Sequence, residues 1–242
     1  MKKLLLLTAL STFTFTSCET ARQILEGVAT ASGTGELSAN EISLGLKEAL
    51  TVGTNRSSSQ LSSVDGFFKN AAIKILLPPE AQKVESTLRS VGMGNLVDKA
   101  VLSLNRAAED AAKTAAPIFI DAVRQMTITD AVNILRGGDF AATDYFKGKT
   151  TNALTNAFRP VIDRSLKNVN ATKYWGDVIN AYNMVATTKV NPDLAAFVTE
   201  RAMNGIFYQV GLEEQRIRKE PVARSTELLK KVFGSRLAQG GY

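Results

Sequence analysis

The chain has 242 residues, 45% of them hydrophobic and 21% charged, and a formal net charge of +6 at pH 7. That is the balance of a globular protein long enough to bury one sizeable core, and abundant alanine and leucine with only six prolines favour an all-α chain. Histidine is absent, which excludes Ser-His-Asp and Cys-His nucleophiles and every histidine-ligated zinc site.

The chain opens like an export signal. Lys2 and Lys3 are followed by a twelve-residue apolar run, Leu4 to Phe15, too short to span a bilayer as a mature helix. Phe15-Thr16-Ser17-Cys18 comes next. Small residues just before a cysteine resemble the lipobox of bacterial lipoproteins, with Phe15 where Leu is usual. The resemblance implies a signal peptide over residues 1–17, cleavage before Cys18 and diacylglycerol on its thiol. Two or more acyl chains anchor stably where one is marginal. The other reading is an ordinary signal peptide with an incidental cysteine. Cys18 is the only cysteine, so no intramolecular disulfide is available. The expected location is the cell envelope, lipid-anchored at the periplasmic face of the outer membrane. Glu19 is not the Asp that marks inner-membrane retention in enteric bacteria.

Residues 18–37 read as a lipidated tether, with a short helix over Ala21 to Ala31 and a flexible SGTGE spacer. Ser38 and Glu41 form a capping box for a helix with Ile42, Leu46, Ala49, Leu50 and Gly53 on one side. The run Ser57 to Ser59 weakens its middle. Asp65-Gly66 is a turn. Ile73, Ile75 and Leu77 alternate, which predicts a short extended, buried piece. Pro79 suits a first helical position, and Val84, Leu88 and Val91 follow at helical spacing. Gly92 and Gly94 break the chain. Asn95 is the expected cap of a long helix through Leu96, Val97, Val101, Leu104, Ala108 and Ala111, whose alanines admit a close neighbour.

Pro117 kinks or restarts that helix. Ile118, Ala122, Val123 and Met126 share a face. Thr127 caps the next helix with Asp130 three residues on. Gly137-Gly138 ends it, through the positive φ open to glycine. Asp139 is the expected cap of the following helix, with Phe140 packing back and Tyr145-Phe146 adding apolar bulk. Leu154, Phe158, Val161, Ile162 and Leu166 mark one more helix, bent at Pro160. Tyr174, Trp175, Val178, Ile179 and Tyr182 mark another. Pro192 opens a helix with Leu194, Val198, Met203, Ile206, Phe207 and Val210, kinked at Gly211. Pro221 starts the last, through Leu229, Val232 and Phe233, closed by Gly234. The expected architecture is a single bundle-like domain over residues 38–234 and a frayed tail over 235–242. There is no fixed-period repeat and no interdomain linker after Asn40.

Several ordered motifs resemble a known family. They are Gly45-Leu46-Lys47-Glu48-Ala49-Leu50, Asn105-Arg106-Ala107-Ala108-Glu109, and Met126 with Asp130-Ala131. Ile134-Leu135, Ala141-Ala142-Thr143 with Tyr145-Phe146, Glu213-Glu214 with Ile217-Arg218, and Val232-Phe233-Gly234 continue the series. Together they resemble the bacterial domain of unknown function numbered 4197, found in exported proteins and lipoproteins. The resemblance implies an α-helical envelope protein and supplies no catalytic residues.

The polar candidates are few. Asn105 and Glu109 are one helical turn apart, flanked by Arg106. Glu214 and Arg218 are also one turn apart, in the order that favours an ion pair. With Asp130, Asp139, Thr143 and Asp144 they form either a structural polar network or a pocket for an anionic ligand. Asp121, Asp130, Asp139 and Asp144 are also a candidate acidic pocket, without the spacing of a calcium loop. No phosphate-binding glycine loop occurs, and Ser165-Leu166-Lys167 has the wrong spacing for a Ser-Lys dyad. No cofactor or metal site is assigned. Residues 216–236 hold seven basic and two acidic residues. They read either as a salt-bridged terminal helix or as a surface for anionic headgroups. Nucleic acid is a poor partner for an exported lipoprotein.

Three functions follow. The first is a non-enzymatic interaction or scaffold protein with an envelope partner. The second is a carrier of a small amphiphile, its cavity lined by Phe119, Phe146, Phe158 and Phe207. The third is a hydrolase using acidic residues. A filled core beside an exposed apolar groove favours the first.

Overall fold

The computed structural model describes residues 37–168, 170–173, 175 and 193–239. The leader, Cys18, most of the tether, and Tyr174, Val178, Ile179, Tyr182 and Pro192 lie outside the described residues. Among the described residues there are eight α-helices and no strand.

Ser38 starts α1 (Ala39–Ser62) as the expected capping box. The Glu41 amide donates to Ser38 Oγ at 3.2 Å, and the Ser38 amide donates to the Glu41 carboxylate at 2.9 Å. Ile42, Leu46, Ala49, Leu50 and Gly53 form its buried face. The polar stretch that propensity marks as weak is nonetheless helical and buried at Ser57 and Ser58, and Thr54 and Ser57 satisfy their hydroxyls on carbonyls four residues back, at 2.7 and 2.8 Å. Asp65, at φ 69°, turns the chain. Gly66 is needed there because a Cβ would lie 2.4 Å from the Gln60 carbonyl oxygen.

The Ile73–Leu77 segment is buried at Ile75, yet no strand pairs with it. Alternation reports which side chains turn inward and says nothing of the partner that a strand requires. Pro79 opens a 3₁₀ turn (Pro79–Ala81) ahead of α2 (Gln82–Ser90). Helical spacing marks Val84, Leu88 and Val91 as a core face, but α2 buries none of its residues. Gly92, at φ +80°, reverses the chain into α3 (Gly94–Ala112). Asn95 is not its cap: it lies inside the first turn, and Met93 precedes the helix without a side-chain cap.

Pro117 falls in the first turn of α4 (Ala115–Gln125), where its missing N–H costs nothing. Thr127 and Asp130 cap α5 (Ile128–Arg136) as a reciprocal box. Gly137 ends α5 at φ −71°, so positive φ is not its role. A Cβ there would lie 2.5 Å from the Ala141 Cβ, so Gly137 serves close approach. The next helix, α6 (Ala141–Asn168), continues through Pro160. Asp193 caps α7 (Leu194–Lys219), which runs unbroken past Gly211. Pro221 opens a separate 3₁₀ turn (Pro221–Ala223), and α8 (Glu227–Phe233) begins later, capped by Thr226. Residues read from sequence as a frayed tail include a 3₁₀ turn (Leu237–Gln239), and Leu237 and Ala238 pack against the core.

Packing follows from the apolar faces. α3, α4 and α7 each touch both α1 and α6, so these two long helices flank a shared middle layer. α5 and α8 close the α1 side. Ala107, Ala108, Ala111 and Ala112 are fully buried, and their small size lets α3 sit deep between its neighbours. Phe119 meets Phe146 edge-to-face at 5.2 Å and Phe207 at 6.1 Å. The Phe67 ring occupies the space above Gly205 of α7.

Two helical glycines separate close packing from mere propensity. A Cβ at Gly205 would lie 2.4 Å from the Phe67 ring, whereas one at Gly148 would meet nothing within 4 Å. Gly205→Ala should therefore destabilise by about 1–3 kcal/mol through overpacking. Gly148→Ala should stabilise by about 0.5–1 kcal/mol. Chemical denaturation of the two variants measures both signs.

Glu41 carries an acid-sensitive tie between the ends of the domain. The Lys231 ammonium, 2.6 Å away, and the Ser38 N–H and O–H lower its pKa from 4.5 to about 2. A lowered carboxylate pKa adds stability above the unfolded value, and that stability fades as pH falls through the folded one. Stability should fall between pH 4.5 and about 2, and Glu41→Gln should flatten that part of the curve in acid-denaturation experiments.

Candidate functional site

The sequence-predicted polar residues gather at two places, and at both they serve the backbone. On α3, Asn105 is fully buried and faces Ile75. Its Nδ2 donates to the Ile75 carbonyl at 2.8 Å, and its Oδ1 accepts from the Ile75 amide at 2.9 Å. One side chain thus replaces the missing strand partner of a buried irregular segment. Nδ2 also donates to the Val101 carbonyl at 2.7 Å.

One turn later, Glu109 Oε1 accepts from the amides of Phe67 and Phe68 at 3.1 and 3.3 Å. Its Oε2 accepts from Arg106 at 2.6 Å, and Arg106 reaches Asp65 at 2.8 Å. Lys69 completes the chain of charges with Asp65 at 2.8 Å. Lys69 and then Arg106 hold the Asp65 carboxyl below its ordinary range, and Glu109 and Asp65 raise the Arg106 guanidinium. The network fixes the turn after α1 and so aims the Phe67 ring into the core.

The second place is the corner between α5 and α6. Glu214 and Arg218, on α7, have side chains only 5% and 8% exposed and pair at 2.9 Å. Glu214 accepts from the amides of Ala142 and Thr143 at 2.9 and 2.8 Å and from the Thr143 hydroxyl at 2.8 Å. Arg218 donates to the carbonyls of Ile134 at 2.7 Å, Leu135 at 3.2 Å and Gly137 at 3.5 Å. The cation closes the carbonyl end of α5, and the anion closes the amide end of α6. Asp139 is therefore not the α6 cap. It lies outside the helix, bound to Lys219 and, at 3.4 Å, to Gln215. Lys219 holds its carboxyl below the ordinary range.

The acidic pocket does not form. Asp121 accepts from Gln125 at 2.7 Å, Asp130 is spent on the Thr127 cap, and Asp144 lies 3.6 Å from Lys147 at the surface. Among the described residues no three carboxylates converge with metal-holding geometry. The four phenylalanines proposed to line a carrier cavity are buried in the core, and Phe119, Phe146 and Phe207 stack there. A separate groove of about 380 Å³ lies between α4 and α6. Ile118, Ala122 and Ala153 are apolar in its lining, and Asp121, Tyr145 and Lys149 are polar.

The basic carboxy-terminal segment is largely neutralised internally. Arg216 meets Glu213, Arg218 meets Glu214, Lys219 meets Asp139, Lys230 meets Glu227 and Lys231 meets Glu41. Arg224 donates to the Ile217 and Arg218 carbonyls at 3.0 and 2.7 Å and closes α7. Few of these charges remain for headgroups. Sequence reasoning missed Arg224 and the backbone partners of Asn105 and Glu109, because those partners are loop amides and carbonyls distant along the chain.

Arg218→Ala should destabilise by about 3–5 kcal/mol, since it strands the Glu214 carboxylate and uncovers the carbonyls of Ile134, Leu135 and Gly137. Arg106→Ala should cost less, because that guanidinium is 37% exposed. Urea denaturation of the two variants gives the comparison.

No curated protein and no solved structure matches the chain. A family model described as protein of unknown function, DUF4197, matches residues 36–234. With that match covering most of its length, the chain belongs to the DUF4197 family.

Proposed function

We propose that the protein is a lipid-anchored cell-envelope protein that acts by binding a protein partner and not by catalysis. The anchor is the acylated Cys18 of the lipobox-like Phe15-Thr16-Ser17-Cys18, at the periplasmic face of the outer membrane. The observation that carries the binding role is a run of exposed apolar residues, Leu76 to Leu96, set beside a core whose large aromatics pack on one another. The buried polar side chains at Asn105, Glu109, Glu214 and Arg218 are committed to closing backbone groups. The large aromatics pack on one another. By contrast, Leu76, Val84, Val91, Met93 and Leu96 expose apolar surface along one stretch, where an apolar patch signals a partner.

Two measurements test this reading. Cys18→Ser should move the folded protein from the membrane pellet to the soluble fraction; retention in the pellet would remove lipid as the anchor. A photocrosslinking residue at position 84 should give adducts heavier than the monomer in intact cells, and one at position 48 should not. Equal labelling from both positions, or none, would remove the binding role.

A further inference from the structure

The groove between α4 and α6 holds polar groups that no backbone end uses. Ile118, Asp121, Ala122 and Gln125 line it from α4, and Tyr145, Lys149 and Ala153 line it from α6. Within each set the residues recur three or four positions apart, so each set is one continuous helix face. At a helical rise of about 1.5 Å per residue, each wall is about 10–12 Å long. Ala122 and Thr150 are buried and form the floor, Tyr145 is half-buried, and Asp121, Gln125 and Lys149 stand exposed at the rim. The Thr150 hydroxyl is spent on the Phe146 carbonyl at 2.7 Å.

The two walls differ in chemistry. On α6, the Tyr145 hydroxyl has no acceptor and the Lys149 ammonium has no anion; the ammonium lies 5.7 Å from the Tyr145 ring. Burial, and then the Asp130 carboxylate, raise the pKa of Tyr145, so its hydroxyl keeps its proton at neutral pH. Asp130 is within electrostatic reach of Lys149 but stays on its Thr127 cap. On α4, Asp121 accepts from the Gln125 amide at 2.7 Å and has no cation, and Gln125 Oε1 has no donor. The α6 wall thus donates and the α4 wall accepts. Among these residues no hydrogen bond or ion pair crosses the groove.

That arrangement selects a ligand by its charges. One ammonium beside one hydroxyl matches a single carboxylate and falls short of a phosphate dianion. One carboxylate beside an amide oxygen matches a single ammonium. Ile118 and Ala122 leave an apolar strip beside the two walls, and about 380 Å³ is at the small end of ligand sites. Going beyond the partner-binding role and independent of it, we infer that this groove is a binding site for a small zwitterion, an amino acid or short peptide with free ends. Its carboxylate meets Lys149 and Tyr145, its ammonium meets Asp121 and Gln125, and its apolar side chain lies over Ile118 and Ala122. The groove opens to solvent, so the affinity is modest.

The test is calorimetric titration of the full chain, in mild detergent, with the dipeptide leucyl-alanine. The expected result is saturable binding at a single site. Asp121→Asn and Lys149→Gln should each weaken it roughly tenfold, the scale of one charged hydrogen bond. Helical circular dichroism should not change, because both side chains are exposed. N-acetyl-leucyl-alanine should bind the unaltered chain as weakly as the dipeptide binds Asp121→Asn, and should lose nothing further in that variant. Leucyl-alaninamide should stand in the same relation to Lys149→Gln. Ala153→Phe, at an exposed lining position, should block the dipeptide by filling the groove. No saturable binding, or binding indifferent to Asp121 and Lys149, would overturn the inference. Full affinity for the amide form alone, or for the acetylated form alone, would also overturn it, by assigning the groove to a simple cation or a simple anion. None of these changes touches crosslinking from position 84, so the partner-binding role stands or falls separately.

Discussion

Glu214 and Arg218 are the constraint on which the rest of the domain turns. A sharp corner between two helices leaves carbonyls bare on one side and amides bare on the other, and neither can be buried unpaired. One buried ion pair on α7 answers both ends. The guanidinium spans three carbonyls of the α5 terminus, and the carboxylate gathers the first amides of α6. An isolated buried pair often fails to offset its desolvation. Here each charge also complements a helix end, so the pair does more than neutralise itself. The corner then presents Phe146 to Phe119 and Phe207, the aromatic centre of the core.

The α3 network follows the same logic with different chemistry. Where α7 uses a charged pair to close two helix ends, α3 uses an amide and a carboxylate one turn apart to hold an irregular loop. Asn105 supplies a donor and an acceptor, from two separate atoms, to one residue while remaining neutral. Glu109 takes two successive amides and is itself balanced by Arg106. The loop so fixed delivers Phe67 onto Gly205, which links α3 to α7 through a ring and the absence of a Cβ. Polar residues that look like a site in the sequence are thus used as internal scaffolding.

Local rules succeeded wherever cause and effect lie within one turn. The Ser38–Glu41 and Thr127–Asp130 boxes, the Asp65-Gly66 turn and the apolar face of α1 are decided by neighbours in sequence. The same rules erred where a distant group intervened. Asp139 has the residue type and position of a cap, but Glu214 reached the α6 amides from another helix. Ile73, Ile75 and Leu77 alternate like a strand, but Asn105 took the place of a strand. Val84, Leu88 and Val91 repeat like a core face, but Val84 and Val91 are left exposed and only Leu88 is partly covered.

The sequence by itself determined the all-α class, the order of the main helices and most of the buried residues, because helical periodicity and capping depend on residues three or four positions apart. It also identified the family, through motifs spread along nearly the whole domain. Only the tertiary structure decided what the polar motifs do. Whether Arg218 meets a ligand or a helix end, and whether an apolar stripe is covered or bare, depends on which segments are brought alongside it. Those contacts join residues from thirty positions apart, as from Asn105 to Ile75, to more than seventy, as from Glu214 to Ala142, and no local spacing encodes them.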